Sequence, residues 1–185
     1  MSEVRTLGSI GALTNLMEAV SREMGFRHYA LIHHVDLSEP QPDLVDIKDY
    51  PAAITDRLFE QRRYRRDPVI RGCIFADSAF LWSDLSRIIQ LDEQDRASFE
   101  FGAKQGLNEG ITVPFVCLGE RMGSCTFAGT RRPERVQVML GAAQMIGIFA
   151  FQAARRLASG ERPAVAKRFR LHPRPRECVM LAGRG

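Results

Sequence analysis

The segment from Arg132 to Leu157 constrains the fold of this chain more than any other feature. It is predicted to form one long helix, and between Val136 and Phe151 this helix is apolar on nearly every side. A helix of that kind has to be covered on more than one face. Its most apolar stretch, Met145–Phe151, has only seven residues, far short of the ~20 that a membrane-spanning helix requires. We therefore expect one face to lie on a sheet and the other to be covered either by the same core or by a second subunit.

The rest of the chain alternates helical and strand patterns. Two apolar runs joined by Gly119–Arg121 predict a β-hairpin, and Asp67 followed by Pro68 predicts a helix start with Asp67 as the N-cap. This order favours an α/β fold, an α-β-α sandwich with a central antiparallel sheet. The predicted elements are a helix over 7–24, strands over 26–35 and 44–47, helices over 52–63 and 67–75, a loop with Trp82, a helix over 92–105, strands over 111–118 and 122–129, and the long helix.

The composition is typical of a soluble protein with reduced thiols. Hydrophobic residues make up 45% of the 185 residues, which suffices for one domain with a core and a short extension. The N-terminus lacks the long apolar segment of a secretory signal, so we predict a cytoplasmic protein with no membrane partner. The cysteines form neither a Cys-x-x-Cys pair nor a Cys/His cluster, so we expect no metal site. They are Cys73, Cys117, Cys125 and Cys178.

The charge is unevenly distributed along the chain. Residues 155–185 contain nine Arg or Lys and two Glu, a net charge of +7, so that residues 1–154 carry −3 of the total +4. A basic tail suits a polyanionic partner. It is equally compatible with a solvated linker, because residues 158–166 have linker composition.

Several motifs in the right order resemble the autoinducer-binding domain of LuxR-type quorum-sensing regulators. The stretch 49–69 (DYPAAITDRLFEQRRYRRDPV) is similar to the pocket segment of that family, and Trp82 follows Asp67 at the expected distance. Residues 106–114 (GLNEGITVP) and 123–128 (GSCTFA) resemble two further family motifs. Residues 171–185 resemble the opening of the family's helix-turn-helix domain. The resemblance implies an autoinducer (acyl homoserine lactone)-binding domain over 1–158, a linker over 159–170 and a truncated DNA-binding domain over 171–185.

The resemblance also implies a ligand and its contacts. The family binds N-acyl homoserine lactones, so Asp67 would accept the amide N–H, Tyr50 would donate to the acyl carbonyl, and Trp82 would pack on the lactone ring. Thr126 would add a hydroxyl, and Cys73 lies one helical turn beyond Val69. Each of these residues also suits a plain structural role, as a helix cap, a core side chain or a strand residue. The predicted ligand-binding residues are Tyr50, Ile54, Leu58, Asp67, Val69, Cys73, Trp82, Thr112 and Thr126.

Two of these positions depart from the family pattern. Ile54 stands where the family has a tryptophan whose indole N–H holds the lactone carbonyl, and Leu58 stands where it has an aromatic residue, usually tyrosine. A carbonyl left unpaired in a closed pocket costs about 1–3 kcal/mol. Either another donor replaces the tryptophan, or the ligand is a branched, aryl or otherwise different signal. A run of arginines is predicted to lie on a solvated helix face and the loop after it; they are Arg57, Arg62, Arg63, Arg65 and Arg66.

The resemblance predicts a ligand-responsive regulator that forms a homodimer and, in the full-length protein, binds promoter DNA. No recognition helix follows Gly185, so we expect the chain as given not to read DNA sequence. The alternative is a ligand-independent antagonist that heterodimerises with a full-length regulator, in which Ile54 and Leu58 fill the cavity. No nucleophile and base occur at catalytic spacing, so we expect neither an enzyme nor a cofactor.

Overall fold

Five antiparallel strands form the centre of the domain, with helices on both faces. The computed structural model describes residues 8–35, 43–60, 64–116 and 121–160. The strand order in the sheet is β2-β1-β5-β4-β3, which confirms the predicted α/β sandwich. The elements are α1 (Ile10–Glu23), β1 (Phe26–His33), β2 (Asp46–Lys48), α2 (Ala52–Thr55), α3 (Pro68–Phe75), β3 (Phe80–Leu81), α4 (Glu93–Lys104), β4 (Gly110–Phe115), β5 (Gly123–Thr130) and α5 (Leu140–Ala158).

Side-chain alternation along β1 and β5 gives the sheet two different faces. The pairing of Leu31 with Cys125, and of Tyr29 with Phe127, puts these four side chains on the face covered by α1 and α5. There they form the main hydrophobic core, and all four are essentially inaccessible to solvent. The intervening residues of the same strands face the other helical layer and line a cavity; they are Ala30, Ile32, Ser124 and Thr126.

Helix α1 begins and ends where its sequence dictates. The hydroxyl of Ser9 accepts a hydrogen bond from the backbone N–H of Ala12 at 3.2 Å and so caps the N-terminus. Gly25 adopts a φ of +87°, which an L-residue with a side chain rarely adopts, and it turns the chain directly into β1. Leu13 and Met17 lie one turn apart and bury the inner side of the helix in the main core.

The long apolar segment begins as a 3-10 helix, Pro133–Met139, and becomes α-helical at Leu140. Gly147 allows α5 to approach the sheet closely, because a Cβ there would lie 2.8 Å from Cγ2 of Val113. By length and composition residues 133–158 are able to cross a membrane, yet in this fold they cover the sheet. Val138 and Met145 on the outer side are 77% and 54% exposed, so the described residues leave part of this helix uncovered.

Two predicted elements differ in detail from the structure. The predicted helix over 52–63 is α-helical only over Ala52–Thr55 and continues as a π-helical turn, Asp56–Glu60. The predicted loop around Trp82 contains strand β3 and a 3-10 helix, Trp82–Arg87. A two-residue strand is too short to give a periodic signal, which is why the sequence did not reveal it.

Some predictions fall on residues outside the described ranges. These are most of the loop over 38–43, most of the hairpin turn over 119–121, Cys117 and Cys178. The linker and the start of the helix-turn-helix domain lie there too, from residue 161 onward.

Candidate ligand-binding site

A cavity of about 400 Å³ lies between the sheet and the helical layer that contains α2, α3 and α4. Strands β1 and β5 form one wall, and Phe99 and Phe101 of α4 stand on the other side. Most of the lining surface is apolar, and polar or charged side chains are interspersed among the aromatic and aliphatic ones. A concave apolar site of this size with a few polar groups is typical of small-molecule binding.

The cavity brings together seven of the nine predicted ligand-binding residues. Cys73 and Thr112 do not belong to its lining. Cys73 is fully buried in a cluster with Phe80 and Leu85 behind α3, and Thr112 is fully buried in the sheet. The seven that line the cavity are Tyr50, Ile54, Leu58, Asp67, Val69, Trp82 and Thr126.

Asp67 both caps α3 and faces the cavity. Its Oδ1 accepts hydrogen bonds from the backbone N–H groups of Val69 at 2.9 Å and Ile70 at 3.1 Å, as the sequence predicted. Within the described residues Oδ2 receives no hydrogen bond, so one carboxylate oxygen remains available. Burial raises the pKa of Asp67 to about 6, against the lowering effect of the two backbone N–H groups. The carboxylate is therefore mostly charged at neutral pH and poorly solvated, which favours an N–H donor from a bound molecule.

A chain of hydroxyl groups fixes the tryptophan of the cavity. The indole N–H of Trp82 donates to Oγ1 of Thr112 at 2.9 Å, and Thr112 Oγ1 lies 3.0 Å from Oγ1 of Thr126. Thr126 also bonds to Tyr50, whose phenol pKa is raised by burial and by the nearby Asp67 carboxylate. The N–H of Trp82 is thus used inside the protein, and its ring is what remains for a ligand to contact.

The position of the missing family tryptophan is apolar and well packed. Ile54 is buried, and together with Leu58 it packs in a cluster with Leu107, Ala128 and the aromatic residues around them. A cavity of about 400 Å³ persists with both side chains at its wall. Ile54 and Leu58 therefore do not fill the cavity, whereas the antagonist interpretation requires that they do.

Arg57 is a polar lining residue that the sequence interpretation missed. It was predicted to lie on a solvated helix face, but it lines the cavity, with its guanidinium carbon 4.3 Å from the centroid of the Phe101 ring. Arg66 also lines the cavity and pairs with Asp92 at 3.1 Å. The π-helical turn after α2 turns Arg57 inward, and a helical pattern of regular period does not predict such a turn.

An ion pair connects the two helices that cover the cavity. Arg71 of α3 donates to both oxygens of Asp95 at 2.9 and 3.0 Å, and Asp95 is 1% exposed. The Asp95 carboxylate also accepts the backbone N–H of Asp92 and so completes a capping box at the start of α4. The pair holds the helix that bears Asp67 against the helix that bears Phe99 and Phe101.

A second polar group lies on the wall formed by the sheet. Nε2 of His34 is 2.9 Å from Oγ of Ser124, and both residues line the cavity. Burial, with a smaller effect of His33, lowers the pKa of His34 to about 4, so the imidazole is neutral at physiological pH. Strand alternation from Thr126 would have identified Ser124, but His34 lies just past the end of β1, where alternation no longer predicts direction.

The buried cysteines and the ionisable groups give no sign of a metal site or a reactive thiol. Burial raises the pKa of Cys73 to about 12 and also raises that of Cys125, so both are thiols. Among the described residues no group of three or more His, Cys, Asp or Glu side chains is placed to hold a metal ion.

Comparison with known proteins gives this geometry a family context. The profile of the family described as "Autoinducer binding domain" matches residues 9–154. The chain is 26% identical over 174 residues to the HTH-type quorum sensing-dependent transcriptional regulator RpaR of Rhodopseudomonas palustris, which covers 94% of this chain and 70% of RpaR. It is 25% identical over 112 residues to the transcriptional activator protein TraR of Agrobacterium vitis, which covers 60% of this chain and 46% of TraR.

Solved structures share the fold at lower identity. SdiA in complex with octanoyl-rac-glycerol superposes with a TM-score of 0.65 and 17% identity, covering 99% of this chain and 73% of SdiA. The N-acylhomoserine lactone dependent LuxR family transcription factor CepR2 of Burkholderia cenocepacia gives a TM-score of 0.58 and 14% identity, covering 84% of this chain and 88% of CepR2. The relatives are transcriptional regulators, in agreement with the prediction that this chain is not an enzyme. The chain belongs to the autoinducer-binding domain family of LuxR-type quorum-sensing regulators.

Proposed function

We propose that this domain senses an N-acyl homoserine lactone, or a closely related acyl amide, by enclosing it in the cavity. The observation that carries the proposal is the carboxylate of Asp67, which caps α3 with one oxygen and leaves the other on the cavity wall. An amide N–H bonded to that oxygen forms a charge-assisted hydrogen bond, worth about 1.5–3 kcal/mol. In this pose Tyr50 donates to the acyl carbonyl and Thr126 supports Tyr50.

The head group of the ligand lies between Trp82 and Arg57 in this proposal. The Trp82 ring packs on the lactone, since its N–H is already bonded to Thr112. Ile54 has no donor for the lactone carbonyl, but the guanidinium of Arg57 has five N–H groups and lines the same cavity. We expect Arg57 to replace the missing indole donor.

The acyl part of the ligand runs along the mostly apolar wall of β1 and β5. The complex of SdiA with octanoyl-rac-glycerol indicates that an acyl ester without a lactone is a reasonable second candidate. Such a ligand has no amide N–H, but its free glycerol hydroxyls can donate to Asp67 instead. A direct comparison of the affinities of the two ligand classes therefore separates them.

The proposal extends to the rest of a full-length regulator. We assign residues 1–158 to the ligand-binding domain, 159–170 to a linker, and 171–185 to the start of a helix-turn-helix domain. The exposed Val138 in the 3-10 helix before α5 and the exposed Met145 of α5 suit a homodimer contact. In this scheme the liganded domain dimerises and presents paired DNA-binding domains to promoter DNA in the cytoplasm. Met145→Glu should then convert a liganded dimer to a monomer in size-exclusion chromatography with light scattering.

Native mass spectrometry after expression with a panel of acyl homoserine lactones tests the proposal directly. A retained ligand and a rise in melting temperature are the expected results, because a ligand that binds only the folded state stabilises it by RT ln(1 + [L]/Kd). At a ligand concentration of 100 Kd this amounts to ~2.7 kcal/mol, or a shift of roughly 5–11 °C for a domain of this size. Absence of any retained lactone and of any shift across the panel would refute the sensor assignment.

A further inference from the structure

The end of the cavity away from Trp82 carries a polar pair that the proposed contacts do not use. Trp82 lies beside Gly110, which is paired with Ala128 of β5. Ser124 lies four residues before Ala128 on the same strand and the same face, ~13 Å away along the strand. His34 lies farther out still, since its backbone N–H donates to the carbonyl of Met122, beyond Ser124.

The imidazole of His34 has hydrogen-bonding capacity that the protein does not satisfy. Nε2 bonds to Oγ of Ser124 at 2.9 Å, but Nδ1 is buried and has no partner within the described residues. Buried polar atoms nearly always have a partner, so an unpartnered atom on a side chain that lines the cavity can be satisfied by a ligand group once the neighbouring side chains adjust. The ring is neutral at physiological pH because burial lowers the pKa of His34 to about 4.

Resting on the proposed function, we propose that His34 and Ser124 form a subsite for a hydroxyl group on the acyl tail of the ligand. A hydroxyl both donates and accepts, so it fits either tautomer of the imidazole: Nδ1 carries a proton if Ser124 donates to Nε2, and lacks one if Nε2 donates to Ser124. A carbonyl can only accept and fits one of the two. A plain methyl end would leave Nδ1 of His34 without a partner among the described residues.

The geometry also places the hydroxyl along the tail. Thr126, next to the proposed amide position, is two residues or ~7 Å from Ser124 along β5. The hydroxyl therefore belongs well beyond the first carbons of the acyl chain, at or near its far end. On the neighbouring strand, Ala30 lies level with Thr126 and Ile32 lies level with Ser124, so this stretch of the cavity wall also carries apolar side chains.

Matched pairs of acyl homoserine lactones test this subsite. Each pair consists of a straight-chain lactone and its terminally hydroxylated form, over a series of chain lengths, with Kd measured by calorimetry. We expect the best hydroxylated member to bind the unmodified protein about tenfold or more tightly than its plain partner. His34→Leu should abolish or reverse this preference while it still binds plain lactones, which also proves that the variant is folded.

Two further variants make the test specific. Ser124→Ala removes the other half of the pair and should reduce the preference in the same direction. Ser21→Ala is the matched control, because the hydroxyl of Ser21 is likewise buried without a partner among the described residues but lies on α1, away from the cavity. It should leave the preference unchanged.

The outcomes separate this inference from the function on which it rests. Equal affinities within every pair, or a preference that His34→Leu leaves intact, would overturn the subsite while the sensor role stands. If no lactone of either kind binds, the sensor role itself fails and the subsite fails with it.

Discussion

Replacing Asp67 by Asn should stabilise the unliganded domain while it weakens ligand binding. Asn caps helices about as well as Asp, so both hydrogen bonds to the start of α3 can be kept. What the substitution removes is a carboxylate whose pKa burial raises from 3.8 to about 6. When the single Asn oxygen caps α3, the group that faces the cavity is an NH₂, and an NH₂ cannot accept a hydrogen bond from the ligand's amide N–H.

The size and sign of the stability effect follow from the raised pKa of Asp67. An acid with a higher pKa in the folded state binds its proton more tightly there, so it destabilises the fold once pH rises above both pKa values. A difference of about two units corresponds to at most ~3 kcal/mol at neutral pH. Because the carboxylate retains some contact with the cavity, we expect about 1–3 kcal/mol, or a gain of roughly 2–12 °C in melting temperature. Well below pH 3.8, the ordinary pKa, the side chain is protonated in both states and the difference disappears.

The assay compares melting temperatures of the two proteins across the range from about pH 4 to pH 8, with and without the ligand. Without ligand the advantage of Asp67→Asn should grow as pH rises from 3.8, the ordinary pKa, to about 6, the folded-state pKa, and should level off above that. With ligand the unmodified protein should gain more stability than the variant, whose affinity should fall by about 10- to 150-fold. Asp92→Asn is the control: Asp92 caps α4 outside the cavity, and the backbone N–H of Asp95 lowers its pKa, so its replacement should not stabilise the protein. A lower melting temperature of Asp67→Asn at neutral pH, or a pH-independent difference, would refute this account of Asp67.

Three further predictions concern the scaffold around the cavity. Gly147→Ala places a Cβ 2.8 Å from a side-chain carbon of the sheet, so it should lower the free energy of unfolding in urea by about 1–3 kcal/mol. Gly141→Ala on the same helix meets nothing within 4 Å, so it should raise that free energy by about 0.5–1 kcal/mol. Equal effects of the two substitutions would refute the close approach of α5 to the sheet. Arg71→Leu leaves a buried carboxylate unpaired and should cost about 3–5 kcal/mol, whereas Arg87→Leu removes an ion pair at a side chain that is 81% exposed and should cost under ~1 kcal/mol. Thr112→Val removes the acceptor of the Trp82 indole N–H, so it should lower the free energy of unfolding by about 1–3 kcal/mol. It should also weaken lactone binding, although Thr112 lies outside the cavity lining. Unchanged lactone affinity would show that the hydroxyl chain does not position the Trp82 ring.

Regular elements with long patterns could be predicted from the sequence because burial imposes a period on them. Helix α1 carries apolar residues at helical spacing, the N-cap Asp67 marks the start of α3, Gly106 follows the end of α4, and apolar runs mark β4 and β5. All of these elements form close to the predicted positions. The π-helical turn after α2 and the two-residue strand β3 could not be predicted. Their geometry depends on contacts with neighbouring elements, which leave no local pattern.

The same distinction holds for the cavity. Asp67 and Trp82 could be placed because a cap and a motif marked them in the sequence. Cys73 was expected one helical turn beyond Val69 and lies behind the lining, since the inner side of α3 is shared between the cavity and the cluster around Phe80. Arg57 and His34 were missed because each lies at the end of a regular element, where direction depends on the tertiary fold.

The free-energy penalty of the poorly solvated Asp67 carboxylate in the unliganded domain suggests a physical mechanism for the proposed sensor. A buried carboxylate with an unused oxygen destabilises the domain, and an amide N–H placed against that oxygen favours its charged form and brings its pKa back down. Ligand binding therefore adds its own contacts and also removes a penalty from the folded state. The Arg71–Asp95 pair holds the capped helix against the aromatic wall of α4, so the stabilisation reaches the covering layer as well as the side chain that binds. A cavity lined only by apolar residues would bind any apolar molecule of the right size, whereas this arrangement favours a molecule with an N–H donor at a fixed position.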